Sequence, residues 1–182
     1  MTTAGMSHDS YLDDYIATIL EESRVFAFVG ASQNTSRPSY FAMKYLLAKG
    51  YRVIPVNPGL AGQDVLGQRV VATIHDLEAP VDVIDIFRNP DFALETTRAA
   101  IGLKEKLGLK TIWMQLGVRS DEAARLAEAA GLKVVMNRCP KIEYGRLSGE
   151  IGWAGVNTGR LTSVKPRLAP FGVQSQMIGK SR

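Results

Sequence analysis

Three predicted helices in this chain stop at a glycine, and each hands over within a few residues to a short apolar run. Gly50 precedes Tyr51 to Val56, Gly108 precedes Thr111 to Gln115, and Gly131 precedes Lys133 to Met136. Glycine closes helices because it adopts the left-handed backbone conformation without steric cost. Upstream, Val25-Phe26-Ala27-Phe28-Val29 has no polar position, as expected of a strand buried on both faces of a parallel sheet. Val81 to Phe87 reads as another strand, and Arg69 to Val71 as a short one. Between them, Pro38 and Pro90 stand where a first helical turn accepts proline, and Ser120-Asp121-Glu122 supplies a cap and first-turn acids. Regular strand–helix alternation requires right-handed crossovers and parallel pairing. The expected fold is α/β: a Rossmann-type doubly wound parallel sheet in three α/β/α layers, preceded by a helix and followed by an extension.

The helical stripes predict which residues face the core. Leu12, Tyr15, Ile16, Ile19 and Leu20 recur at three- and four-residue steps over 11–22, with Asp9 or Ser10 as a cap, and Tyr40, Phe41, Tyr45, Leu46 and Leu47 do so before Gly50. The helix opened by Asn89-Pro90 should last to about Leu107. Past Leu147 periodicity fades, and Lys141 and Glu143 read as a closing turn. The expected organisation is an arm and helix over 1–23, the α/β domain over 24–147 and a basic C-terminal extension over 148–182.

The net charge of +4 resembles a nucleic-acid signal until it is located. Residues 146–182 hold six Lys/Arg against Glu150, which is +5, so the first 145 residues sum to −1. Such a core offers no basic helix for nucleic acid. The single cysteine, Cys139, excludes a disulfide framework, and with only His8 and His75 a zinc site lacks ligands. The longest apolar stretch, Val25 to Ala31, is far short of the ~20 residues of a membrane span, and the first ten residues carry no secretion signal. The expected location is therefore the cytoplasm.

Ligands of open α/β sheets bind beyond the carboxyl ends of the strands, where the strand order reverses. Five loops leave those ends: Gly30 to Arg37, Asn57-Pro58-Gly59, Arg88-Asn89-Pro90, Leu116 to Arg119, and Asn137-Arg138-Cys139-Pro140. Four of them carry an arginine, and several lead into helix N-termini, whose free amides favour anions. A phosphorylated small molecule is the expected ligand. It does not resemble NAD on a standard site, because Ser32 and Thr35 replace the later glycines of G-x-G-x-x-G and the second strand ends in Asn57 rather than an acid. A phosphate-cradling G-x-x-x-x-G-K-[ST] is also missing.

The residues at these loops resemble the small stand-alone CoA-binding proteins, which are similar to the CoA-binding domain of the succinyl-CoA synthetase α subunit. The likeness rests on Val29-Gly30-Ala31-Ser32, Ser36-Arg37-Pro38, Val56-Asn57-Pro58, Val81-Asp82 through Phe87-Arg88, Trp113 to Val118, and Met136 through Tyr144. It implies coenzyme A, free or acylated, held along the carboxyl edge. Gly30, Ala31 and Ser32 would approach the pantetheine or diphosphate, and Arg37 would meet phosphate. Asn57 and Pro58 would shape the adenine-side loop, and Phe87, Arg88 and Asn89 would line the nucleotide cleft. Gln115, Leu116, Gly117 and Val118 would close over the ligand, with Arg138 at the last strand end. Gly59-Leu60 stands where the synthetase subunit has a basic residue, and its phosphohistidine-bearing second domain is absent from this sequence.

Catalytic groups are not expected. Neither histidine falls at the carboxyl edge, and Asp82 and Asp85, three apart on a strand, face opposite sides. A non-catalytic carrier, sensor or regulatory module is the preferred reading. The alternatives are a mixed disulfide between CoA and Cys139, whose neighbour Arg138 would lower the thiol pKa, or an NAD/nucleotide-binding regulator. For Cys139 itself, a buried small hydrophobe is preferred. Partners are expected to be the small-molecule ligand and a second copy of the chain or another protein.

Overall fold

The computed structural model describes residues 8–149; the basic C-terminal extension beyond Gly149 therefore lies outside the described residues. The chain runs α1 (Asp13–Glu22), β1 (Val25–Val29), α2 (Pro38–Ala48), β2 (Arg52–Val56), a short hairpin β3 (Asp64–Val65) and β4 (Gln68–Arg69), β5 (Val83–Ile86), α3 (Pro90–Gly102), α4 (Lys104–Leu107), β6 (Thr111–Met114), α5 (Asp121–Ala129), β7 (Lys133–Val135) and α6 (Pro140–Ser148). Five strands form an all-parallel sheet in the order β2-β1-β5-β6-β7, so the direction of winding reverses between β1 and β5. This is the doubly wound α/β architecture expected from the glycine-punctuated alternation. Gly50, Gly108 and Gly131 all take positive φ (88°, 68° and 77°), the geometry inferred for helix stops.

Side-chain alternation along each strand divides the core in two. Val25, Ala27, Val29, Ile84, Ile86, Ile112 and Met114 face one aliphatic layer with α3, α4 and α5. Phe26, Phe28, Val83 and Trp113 face the other layer, with α1, α2 and α6. That second layer is aromatic: Tyr51 meets Phe26 and Tyr144 edge-on at centroid distances of 5.3 and 6.1 Å. Among the described residues no helix is long and apolar enough to cross a membrane.

Several expectations need correction. Helix α1 begins at Asp13, not at an Asp9 or Ser10 cap, and Leu12 is 81% exposed rather than part of the stripe. The preceding segment is extended because Tyr11 and Arg119 hold it: Tyr11 Oη accepts from Met136 N–H (2.7 Å) and Arg119 pairs with Asp9 (2.7 Å). The helix from Pro90 breaks at Leu103 into α3 and α4. In α2 the buried face is Ser39, Ala42, Met43 and Leu46, while Phe41 is half-exposed. The closing turn at Lys141 and Glu143 is in fact the nine-residue helix α6, which buries Tyr144 and Leu147 against α1 and α2 and ends at Gly149 with φ 82°. Its apolar periodicity is diluted by Lys141, Glu143, Gly145 and Arg146, and Arg146 is consumed by pairing with Glu143 and Asp13.

Among the described residues strand β7 is a sheet edge, and an unpaired edge invites association with other strands. Two tyrosines four residues apart cover it. Tyr15 Oη donates to Val134 C=O and accepts from Val134 N–H, both at 3.1 Å, while Tyr11 serves Met136. The two rings stack at 5.8 Å. Replacing Tyr15 by Phe strands two backbone groups of Val134 and should lower unfolding free energy by about 1–3 kcal/mol in urea titration. An unchanged midpoint would mean that water replaces the hydroxyl without loss.

Candidate functional site

The reversal between β1 and β5 places a cleft at the carboxyl edge, on the aromatic side of the sheet. After β1 the chain turns at Gly30 (φ 89°), whose N–H donates to Val56 C=O (3.0 Å). A Cβ at this position would lie 2.9 Å from Arg88 Cδ and 3.3 Å from the Phe87 carbonyl, so only glycine lets the two loops cross. Asn57 ties the neighbouring loop in place: its amide donates to Ala31 C=O (2.7 Å) and its oxygen accepts from Gly59 N–H (2.8 Å). On the far side, Val118 N–H closes a β-turn on Gln115 C=O (2.8 Å), with Gly117 at φ 78° in the third position. That turn leaves Leu116 56% exposed at the rim.

The cavity so enclosed measures about 690 Å³, within the range of small-molecule sites. Of the residues expected at the site, Gly30, Ala31, Ser32, Arg37, Asn57, Phe87, Arg88, Gln115, Leu116 and Val118 line it. Four do not. Pro58 opens the turn after Asn57, Asn89 caps α3 through Phe92 N–H (2.9 Å), Gly117 N–H donates to Asn137 (2.8 Å), and Arg138 turns outward. The Arg138 guanidinium sits over the Tyr11 ring at 5.5 Å and 3.8 Å from Glu143. Arg119 is likewise occupied, by Asp9 and Asp121. So two of the four edge arginines, Arg37 and Arg88, face the cavity, and neither makes an ion pair with a described residue; Arg88 lies over the Phe92 ring at 4.7 Å.

The N-terminal turns of α2 and α6 add residues that sequence reasoning missed: Ser39, Phe41, Ala42, Lys141 and Ile142. The signal available was Ser-Arg-Pro and Arg-Cys-Pro, each placing proline at a helix start. Both helices begin without a side-chain cap, at Arg37 and Cys139, whereas α3 and α5, which do not open on the cleft, are capped by Asn89 and Ser120. Uncapped first-turn amides and the helix dipole favour an anion. Lys141 supplies a third cation, its Nζ 5.8 Å from the Phe41 ring centroid.

The expected activation of Cys139 by Arg138 is corrected. Burial pushes the thiol pKa up, and the amides of Ile142 and Lys141 only partly oppose this. Cys139 is the buried small side chain preferred from the sequence. His8 is locally bonded, with Nδ1 2.9 Å from Tyr11 Oη and Nε2 3.1 Å from Glu128. Asp82 and Asp85 are no dyad. Asp82 is partly buried, but Lys110 (2.7 Å) and the amides of Arg24 and Val25 hold its pKa down. Asp85 is fully buried on the aromatic side and accepts from Gln115 Nε2 at 2.9 and 3.2 Å.

Residues 24–145 match the family model described as CoA binding domain, a span that contains every strand of the sheet. The chain belongs to the CoA binding domain family. It is similar to Prb, the PH1109 protein redesigned for binding, with 38% identity, TM-score 0.71, and 79% of this chain and 96% of that one covered. A hypothetical protein from Pyrococcus horikoshii OT3 is 36% identical at TM-score 0.70, covering 81% and 98%. The uncharacterized protein YneT of Bacillus subtilis (strain 168) is 29% identical over 133 residues, 71% of this chain and 91% of that protein. The matched span carries all five strands of the parallel sheet, and the cavity lies where its winding reverses.

Burial holds the Asp85 carboxyl well above its ordinary value of 3.8, only partly offset by Gln115. The native state therefore keeps a proton that the unfolded chain releases as pH rises through about 4, and stability falls over that climb. Asp85→Asn removes this loss. Calorimetry should show the variant gaining on wild type as pH rises above about 4; parallel profiles would mean Asp85 ionises freely.

Proposed function

We propose that this protein binds coenzyme A, free or acylated, in the carboxyl-edge cavity, as a carrier, sensor or regulatory module without catalytic groups of its own. The observation that carries the reading is the pairing of two uncapped helix starts with three cations, Arg37, Arg88 and Lys141, around one cavity. Phosphate groups suit the first turn of α2 beside Arg37, and guanidinium matches their oxygens in a forked geometry. Ser32 and the backbone of Gly30 and Ala31 offer a close approach, because Gly30 keeps that corner free of a side chain.

The rim also carries apolar surface. Phe41, Leu116 and Ile142 are exposed large hydrophobic residues around the cavity, interleaved with the cations: Lys141 Nζ lies 5.8 Å from the Phe41 ring centroid. A ligand that joins phosphate groups to a long, mostly uncharged arm fits such a mixed lining. A dinucleotide, charged at its centre and flanked by two ribosides, fits it less well, and the glycine pattern of NAD sites is missing from Gly30 onward.

Titration calorimetry and thermal shift with CoA, acetyl-CoA, NAD and ATP test the reading. CoA should raise the melting temperature, since a ligand of the native state stabilises by mass action. Arg37→Ala should weaken CoA binding by about 1–3 kcal/mol, the scale of a lost charge-assisted hydrogen bond. Stabilisation by NAD with no response to CoA would overturn the proposal.

A further inference from the structure

Among the described residues four large hydrophobic side chains stand exposed, and three of them ring the cavity: Phe41 (49%), Leu116 (56%) and Ile142 (43%). Apolar groups gathered at one opening mark surface that an apolar partner covers. The backbone presents two of them at the β6–β7 end. Leu116 takes the second position of the turn that Val118 N–H closes on Gln115 C=O (2.8 Å), so it stands at the tip. Ile142 lies in the first turn of α6, two residues after Pro140.

Charge is distributed unevenly along the sheet. Toward β1 and β5 the cavity is cationic: Arg37 stands at the start of α2, and the Arg88 stem lies against Gly30. Toward β6 and β7 the arginines of the strand ends are withdrawn. Arg119 pairs with Asp9 and Asp121, and Arg138 lies over the Tyr11 ring and beside Glu143. The lining that remains there is Leu116, Val118, Cys139 and Ile142, with the uncharged Gln115 and with Lys141. Lys141 Nζ leans toward α2, 5.8 and 5.9 Å from the ring centroids of Phe41 and Tyr45. The diphosphate of coenzyme A joins two unlike arms: the adenosine side carries a further phosphate, whereas pantetheine is uncharged and ends in sulfur. With the diphosphate at the start of α2, the charged arm belongs beside Arg37 and Arg88, and the uncharged arm extends toward β6 and β7. The sulfur then falls near Leu116 and Ile142. A thiol is too small to cover two large aliphatic side chains; a hydrocarbon chain on that sulfur covers both.

We propose that the ligand is an acyl-CoA thioester whose acyl group is an uncharged hydrocarbon chain seated on Leu116 and Ile142. These two residues set the preference for acylated over free coenzyme A. The proposal rests on the coenzyme A reading above and adds the ligand class to it.

Titration calorimetry of the full chain with CoA, acetyl-CoA, butyryl-CoA, hexanoyl-CoA and succinyl-CoA tests it. A fully buried methylene is worth about four-fold in affinity, and one resting on an open rim about two-fold. Affinity should therefore climb with chain length, hexanoyl-CoA binding about ten-fold or more tighter than acetyl-CoA. Leu116→Ser combined with Ile142→Ser should compress that ratio to about two-fold. Both ligands share the nucleotide and the arm, so a general loss cancels in the ratio, and retained acetyl-CoA binding reports a folded protein. Leu116→Met combined with Ile142→Leu keeps the apolar surface and should keep the ratio. A wild-type affinity that is flat across chain length overturns the proposal, as does a chain-length effect that survives in the serine variant. Succinyl-CoA binding tighter than butyryl-CoA overturns it too, because it would assign this end to Lys141. If the wild-type protein binds none of these ligands, the coenzyme A reading itself is overturned, and the proposal with it.

Discussion

At the end of β1 the chain must turn where there is no room for a side chain. Gly30 sits at φ 89° against the Phe87 carbonyl and the Arg88 stem, and this crossing brings the loops after β1 and β5 together. The consequences follow outward. The sheet reverses its winding at this point, so the helices that start here, α2 and later α6, open on the same cavity. Arg88 is carried to the rim because its stem packs over the glycine. Asn57, reaching across to the Ala31 carbonyl, fixes the third loop. A bulky residue at position 30 would separate all of these at once.

The two faces of the sheet divide the labour. The face under α3, α4 and α5 is aliphatic and closed, and their longer helix starts are capped by Asn89 and Ser120. The face under α1, α2 and α6 is aromatic, with Tyr51 set edge-on against both Phe26 and Tyr144. Trp113 anchors this side, donating from Nε1 to the Arg138 carbonyl at 2.8 Å and so holding the approach to α6. The buried Asp85 lies on the same side and accepts from Gln115, which lines the cavity.

Much of this was legible in the sequence, and the remainder was hidden for identifiable reasons. Val25 to Val29 has no polar residue and is wholly buried, and Gly50, Gly108 and Gly131 marked three helix ends through a local conformational requirement. Ten of the fourteen expected site residues line the cavity because strand ends point to the carboxyl edge in any parallel sheet. The edge arginines could not be sorted by sequence: Arg119 is consumed by Asp9, 110 positions away, and such pairing exists only after folding. Helix α6 was hidden because its buried face includes Glu143, whose charge is satisfied by Arg146. The partnership of Asp85 with Gln115 spans two strands and has no local signature.

The central claim is that one cavity at the β1–β5 reversal holds coenzyme A with its phosphates at the start of α2 beside Arg37. A crystal structure of the protein with CoA tests it most directly. The account predicts phosphate oxygens within hydrogen-bond reach of the first-turn amides of α2 and of Arg37, with the pantetheine chain inside the same cavity. CoA bound on another face, or with its phosphates away from Arg37 and α2, would contradict it.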